Sequence, residues 1–219
     1  MTKVKIVSVD GNIGSGKSTF IQDLKNYFKD REDICFLDEP VDKWKQIIDK
    51  DDKNILENYY LDQKRWGFSF QMMAYISRLS QLKEALNNEK YKIIFTERSV
   101  ESDRNIFAKM LYDEGIIEEI DYKIYNLWFD EFKKDLGEFK YIYLKTKPST
   151  ALARVIKRQR KEEKIELDYL EKCHNYHEKW LNNLCDNKIL ILDGNIERDR
   201  DSIIMENRVK LINNFMEKI

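Results

Sequence analysis

Gly11-Asn12-Ile13-Gly14-Ser15-Gly16-Lys17-Ser18 is the stretch on which the reading of this chain turns. It satisfies G-x-x-x-x-G-K-[ST] at every fixed position. It also stands between an alternating apolar run at residues 4–9 and a segment with apolar residues at Phe20, Leu24 and Phe28. A strand, a glycine loop and a helix in that order let the backbone turn its N–H groups inward and hold an anion at a helix N-terminus. The backbone from Gly11 to Thr19 (Gly11, Asn12, Ile13, Gly14, Ser15, Gly16, Lys17, Ser18, Thr19) is then expected to cradle a nucleoside triphosphate. Lys17 would reach the β- and γ-phosphates, and Ser18 would offer its hydroxyl to Mg²⁺. The motif points to binding of ATP or a similar donor and says little about the acceptor.

Outward from that loop, four further β-branched or aromatic runs occur at 34–37, 92–96, 141–144 and 189–192. Helical stretches separate them. Strands alternating with helices predict an α/β protein of P-loop NTPase type, a five-stranded parallel sheet with helices on both faces in three layers, formed by one domain over residues 1–219. A long helical pattern at about 55–86 carries Gly67, where a bend or break is expected. Another pattern is broken at Gly115, and the last two cover about 167–184 and 203–216.

Lys and Arg number 39 against 40 Asp and Glu, a net charge of −1, so no overall basic excess marks a nucleic-acid or membrane-surface binder. No apolar run approaches the ~20 residues of a membrane span. The three cysteines, Cys35, Cys173 and Cys185, are far apart and odd in number, which argues against a disulfide framework and for a reducing, cytoplasmic setting. Cys173, His174 and His177 make a C-H-x-x-H cluster that lacks a fourth ligand and is read as non-metallic.

The acceptor side rests on strand ends, where ligands gather in such sheets. Asp38 and Glu39 follow the second strand, ahead of Pro40; either one is placed to take a proton from an acceptor hydroxyl. Glu97 and Arg98 follow the third, suited to Mg²⁺ and to phosphoryl oxygens respectively, or to a structural ion pair. Arg154 and Arg158 share one helix face at i, i+4 with Arg160 just beyond, an arginine-bearing lid over about 154–166 or a solvated helix end.

Taken together, GNIGSGKST, EPVDKW, RWGFSFQ, SRLSQL, ERSVESDRNIFA and the RxxxRxRKEE segment resemble the deoxynucleoside kinase family, over most of the chain. The resemblance implies ATP- and Mg²⁺-dependent phosphorylation of a deoxynucleoside 5′-hydroxyl. It implies Glu39 as catalytic base, Arg98 as the arginine orienting it, and Glu97 as the acid that helps place Mg²⁺. Gln71 is implied at the base edge, Tyr60 and Glu163 at the sugar 3′-hydroxyl, and Phe70, Phe107 and Trp44 around the base. Arg154, Arg158 and Arg160 resemble the lid arginines. Ala74, Arg78 and Asp103 match positions where the deoxycytidine- and purine-using members carry a small residue, an arginine and an aspartate, so those substrates are favoured over thymidine. Departing from the deoxycytidine kinase pattern, the lid is one residue shorter. Trp128, Phe129 and Phe132 belong either to the core or to a helix–helix dimer face; the family also implies a homodimer through helices in this part of the chain, which favours the face. The rival readings are a thymidylate-kinase-type monophosphate kinase and a non-catalytic nucleotide-binding subunit.

Overall fold

The computed structural model describes residues 4–159, 165–196 and 202–217. Five strands, β1 (Lys5–Asp10), β2 (Ile34–Leu37), β3 (Ile93–Glu97), β4 (Phe139–Lys145) and β5 (Ile189–Asp193), form one sheet in the order β2-β3-β1-β4-β5, each neighbouring pair parallel. Strands of a parallel sheet are covered on both faces and so read as nearly continuous apolar runs. In β1 only Ser8 and Asp10 interrupt the buried apolar residues, and both are themselves sealed from solvent.

One face of the sheet carries Val7, Val9, Phe95 and Ile142 against Phe20, Ile21 and Leu24 of α1 (Lys17–Tyr27) and Val209, Ile212 and Met216 of α10 (Ser202–Glu217). The other face sets Ile6, Ile94, Tyr141 and Tyr143 against α4 (Gln63–Leu86), α7 (Glu119–Lys133) and α9 (Leu167–Leu181). The expected three-layer fold is the one observed. Between β2 and α4 lie α2 (Val41–Lys45) and α3 (Ile55–Leu61). After β3 come α5 (Val100–Ser102), a π-helical turn (Asp103–Ala108) and α6 (Lys109–Asp113) in one run, and α8 (Pro148–Arg158) follows β4.

The interruption expected at Gly67 falls elsewhere. The chain breaks at Asp62, whose carboxylate accepts from the Arg65 amide at 3.1 Å and starts α4 afresh. Gly67 runs unbroken through α4. It is buried beside Ile116, whose Cγ2 a Cβ there would meet at 3.4 Å, an ordinary contact, and the helix does not break at it. The break at Gly115 is as expected, with a left-handed φ of 66°.

Phe129 does not reach the surface: it is fully buried in the core with Tyr75 and Tyr125. The outward apolar residues of α7 are Ile120 (71% exposed), Ile124, Leu127 (65%) and Trp128, the last stacked on Phe132. Cys173 and His177 also point inward, with His177 Nδ1 on the Cys173 carbonyl at 2.6 Å. Among the described residues no helix is long and apolar enough to cross a membrane. Asp62→Ala should cost about 1 kcal/mol of stability through loss of the α4 cap, read as a shifted urea midpoint at unchanged slope.

Candidate active site

The carboxyl ends of β1, β2 and β3 converge on one cavity of about 410 Å³. Its P-loop end is built as the motif demands. Gly14 and Gly16 take left-handed φ of 78° and 94°. A Cβ on Gly14 would lie 2.4 Å from the Ala151 carbonyl oxygen, so the loop and α8 can approach only because it is glycine. Ile13, Gly14, Gly16, Lys17, Ser18 and Thr19 line the cavity, whereas Gly11, Asn12 and Ser15 stand behind it. Asn12 is a strut: its amide donates to the Leu170 carbonyl at 2.8 Å and its oxygen accepts from the Ile13 amide. Lys17 Nζ donates to the Asn12 carbonyl at 2.8 Å. Burial, helped by the Arg98 charge, brings its pKa down to about 7 against the pull of Glu97, Glu39 and Asp10. The Ser18 hydroxyl donates to Glu97 Oε1 at 2.8 Å, so a hydroxyl and a carboxylate meet at the cavity mouth.

The two acids after β2 part company. Asp38 is exposed and bonded to Lys25 at 2.5 Å. Glu39 turns into the cavity, where Oε1 accepts from Arg78 Nη2 at 2.6 Å and lies 3.6 Å from Arg98 Nε. Burial opposes its charge, but Arg78, Arg98 and Lys17 outweigh that and hold the carboxyl at about 2. Arg98 stands at φ 65°, donates through Nη1 to the Gly11 carbonyl at 2.9 Å, and covers the Phe107 ring at 4.8 Å.

The far end is aromatic and polar together. Phe70 packs edge-on to Trp44 at 5.5 Å and stacks on Tyr59 at 4.4 Å. Trp44 Nε1 is anchored on Ser77 at 2.8 Å. Gln71 is buried and lines the cavity, and its amide makes no hydrogen bond among the described residues. Ala74, Tyr60, Asp103 and Phe107 complete this end. Asp103 and Phe107 both come from the π-helical turn, four residues apart and on one side. Arg78 Nε donates to both oxygens of Asp103, at 3.0 and 3.2 Å, and Nη1 to the Glu97 carbonyl at 3.0 Å.

Arg154 and Arg158 reach the cavity from α8. Arg154 is also a tie, donating to the Gly194 carbonyl at 2.7 Å and to Ser15 at 3.3 Å, which joins the loop after β5 to the P-loop. Arg160 and Glu163 lie outside the described residues.

Three features were not read from the sequence. Arg78 bonds Glu39 as well as Asp103, linking the two ends of the cavity through one guanidinium. Tyr59 lines the wall beside Tyr60, and its hydroxyl lies 3.2 Å from that of Tyr169 on α9. The only signal for Tyr59 was adjacency to Tyr60; Tyr169 carries none, because the contact spans 110 residues.

A glycine cradle between strand and helix, at the carboxyl ends of a five-stranded parallel sheet, defines a P-loop NTPase-type fold. The chain belongs to the deoxynucleoside kinase family, whose model matches residues 7–218. It is 37% identical over 201 residues to human deoxycytidine kinase, covering 82% of this chain and 76% of the relative. A probable deoxycytidine kinase of fowlpox virus is 38% identical over 210 residues, covering 93% and 83%. The mitochondrial deoxyguanosine kinase of Xenopus laevis is 37% identical over 198 residues, covering 82% and 74%. The protein is an enzyme, a kinase that phosphorylates deoxynucleosides.

The two acids on Arg78 titrate in opposite senses. Glu39, held low, adds stability that is full above the usual carboxylate range and is lost as pH falls towards 2. Asp103 is pushed up to about 6 by burial, with Arg78 and Arg98 resisting, so its contribution is full below 3.8 and is lost as pH rises through 6. In Asp103→Asn the gain in unfolding free energy from about pH 4 to about pH 6 should therefore exceed that of the wild type by on the order of 1–2 kcal/mol. Urea denaturation at the two pH values reads it, and an unchanged gain would refute the assignment.

Proposed function

We propose that Glu39 takes the proton from a deoxynucleoside 5′-hydroxyl as that oxygen attacks the γ-phosphorus of ATP. The observation that carries this is the position of Glu39, between Arg78 and Arg98, in the same cavity as Lys17 and Gln71. A carboxylate there suits a hydroxyl acceptor and repels an acceptor phosphate, which argues against a monophosphate substrate. Held at about 2, the carboxyl is ionised throughout the neutral range and needs no prior loss of a proton.

Lys17 and the P-loop amides would bind the β- and γ-phosphates, with Arg154, Arg158 and Arg160 closing over them from α8 and the segment after it. Arg98, fixed on the Gly11 carbonyl and 3.6 Å from Glu39, would hold the reacting oxygen beside its base. Ser18 and Glu97 are hard oxygen donors 2.8 Å apart at the phosphate end, a set that fits Mg²⁺. When bound, Mg²⁺ would neutralise charge on the transferring phosphoryl group.

At the other end, the Gln71 amide offers a donor and an acceptor together to a base edge. Phe70, Phe107 and Trp44 supply π-faces that hold any base with little discrimination. Tyr60 and Glu163 are assigned to the sugar 3′-hydroxyl. Selectivity then falls to Ala74, Arg78 and Asp103, a small residue beside a charged pair, and favours deoxycytidine or purine deoxynucleosides. A homodimer is proposed through α7, whose outward face carries Ile120, Ile124, Leu127 and Trp128; Trp128→Glu should shift the sedimentation coefficient to that of a monomer.

Glu39→Gln should lower kcat by about 10²–10⁴-fold while the Kd for the deoxynucleoside stays close to wild type. Turnover like the wild type's would move the base to another group. In a panel of the four deoxynucleosides with ATP and Mg²⁺, thymidine should show the lowest kcat/KM; a thymidine preference would overturn the reading of Ala74, Arg78 and Asp103.

A further inference from the structure

One buried carboxylate stands outside the chemistry described so far. Asp10 ends β1, immediately before the first glycine of the loop; it is fully buried and does not line the cavity. The Ser8 hydroxyl donates to Oδ2 at 2.6 Å, and the Ser102 hydroxyl donates to Oδ1. Ser102 Oγ accepts in turn from the Ser99 amide at 3.1 Å, Ser99 Oγ accepts from the Ser102 amide at 3.0 Å, and the two hydroxyl oxygens are 2.9 Å apart. Each hydroxyl has one hydrogen. Ser102 gives its own to Asp10, so the hydrogen between the serines must come from Ser99. The chain of bonds therefore has one direction, from Ser99 through Ser102 to the carboxylate.

What this chain anchors is Arg98. Its φ of 65° is one that residues with a side chain rarely adopt, so its surroundings must impose it. The Arg98 amide donates to the Val9 carbonyl at 3.0 Å and its Nη1 to the Gly11 carbonyl at 2.9 Å. Val9, Asp10 and Gly11 are thus bonded in succession to the turn at 98–102. Burial pushes the Asp10 carboxyl up, against the Ser102 and Ser8 hydrogen bonds and the charges of Arg98 and Lys17, and Tyr143 is its partner in register on β4.

We propose that Asp10 is a positioning residue for phosphoryl transfer: its carboxylate, held by Ser8 and Ser102, locks the Arg98 turn to the start of the P-loop and so fixes the spacing between the phosphate cradle and the guanidinium beside Glu39. Asp10 touches no substrate and acts through Arg98. The proposal rests on the kinase reading above and adds to it the group that sets this geometry.

The test compares Asp10→Ala, which leaves Ser102 no acceptor, with Asp10→Asn, which keeps one oxygen for it. Asp10→Ala should lower kcat by about 100-fold with the deoxynucleoside Kd within about threefold of wild type, since a displaced catalytic group costs turnover before binding. Asp10→Asn should recover about tenfold of that loss. Amide hydrogen exchange across residues 98–102 should quicken in Asp10→Ala and return towards wild type in Asp10→Asn. A purely structural role would instead lower kcat and nucleoside affinity together with no recovery in Asp10→Asn, and that result, or near-wild-type kcat in Asp10→Ala, overturns the proposal. Should Asp10→Ala not fold, Ser102→Ala replaces it: a kcat about tenfold lower at constant Kd supports the anchor, and unchanged kcat overturns it. Failure of the wild type to phosphorylate any deoxynucleoside strikes the kinase reading alone, because the exchange measurement still decides what Asp10 holds.

Discussion

The guanidinium of Arg78 is shared. It meets Asp103 through Nε, Glu39 through Nη2 and the Glu97 carbonyl through Nη1, and so joins the aromatic end of the cavity to the end beside the P-loop. Removing one partner from a buried ion pair generally costs about 3–5 kcal/mol, because the remaining charge is left without compensation. Two acids on one arginine cannot be equally well served. Glu39 has Arg98 and Lys17 as well and stays strongly acidic, whereas Asp103 is the one that burial pushes towards protonation. The site therefore contains a carboxylate that is ionised in the neutral range and another that titrates just below it: Arg78 favours the charge of both, and burial prevails only at Asp103.

That arrangement is available only because a parallel sheet delivers its strand ends to one edge. β1 supplies the glycine loop, β2 the acid after Leu37, and β3 the Glu97–Arg98 pair. β3 lies directly between the other two, so Arg98 can bond back to both Val9 and Gly11 while its Nε approaches Glu39. The order of strands, rather than any one residue, puts the guanidinium and the acid on the same side of the loop. A site assembled from strand ends is held by the core beneath it, which limits the motion of the groups that must be aligned.

The walls follow a different logic. Phe70, Trp44 and Tyr59 form a packed aromatic group continuous with the core cluster around α3 and α4. Such walls provide surface complementary to any nucleobase, and discrimination is left to the few polar groups that face the cavity. The π-helical turn brings one polar group, Asp103, and one wall residue, Phe107, to one side. Turns of this type widen a helix locally and are frequent at functional sites.

Much of this was legible in the linear chain. The P-loop is local: its glycines, lysine and serine are neighbours in sequence, and their function follows from backbone geometry over eight residues. The five strands were visible because burial on both faces forces apolar runs, and most helices because burial on one face forces a period. The break near residue 62 was misread, since a glycine inside a helical pattern suggests an interruption, whereas the capping contact of Asp62 shows only in the folded chain. Asp38 and Glu39 were likewise indistinguishable in the motif. Only the folded chain separates them, by setting Lys25 outside and Arg78 inside. The same holds for Phe129 in the core, for Tyr169 opposite Tyr59, and for Asp10 on Ser102 across 92 residues. Sequence by itself determined the sheet, the glycine cradle and the cast of charged residues, because those depend on local backbone preference and periodic burial. Which charge meets which was decided by tertiary structure alone, because a partner's identity depends on strand order and helix packing between residues far apart in the chain.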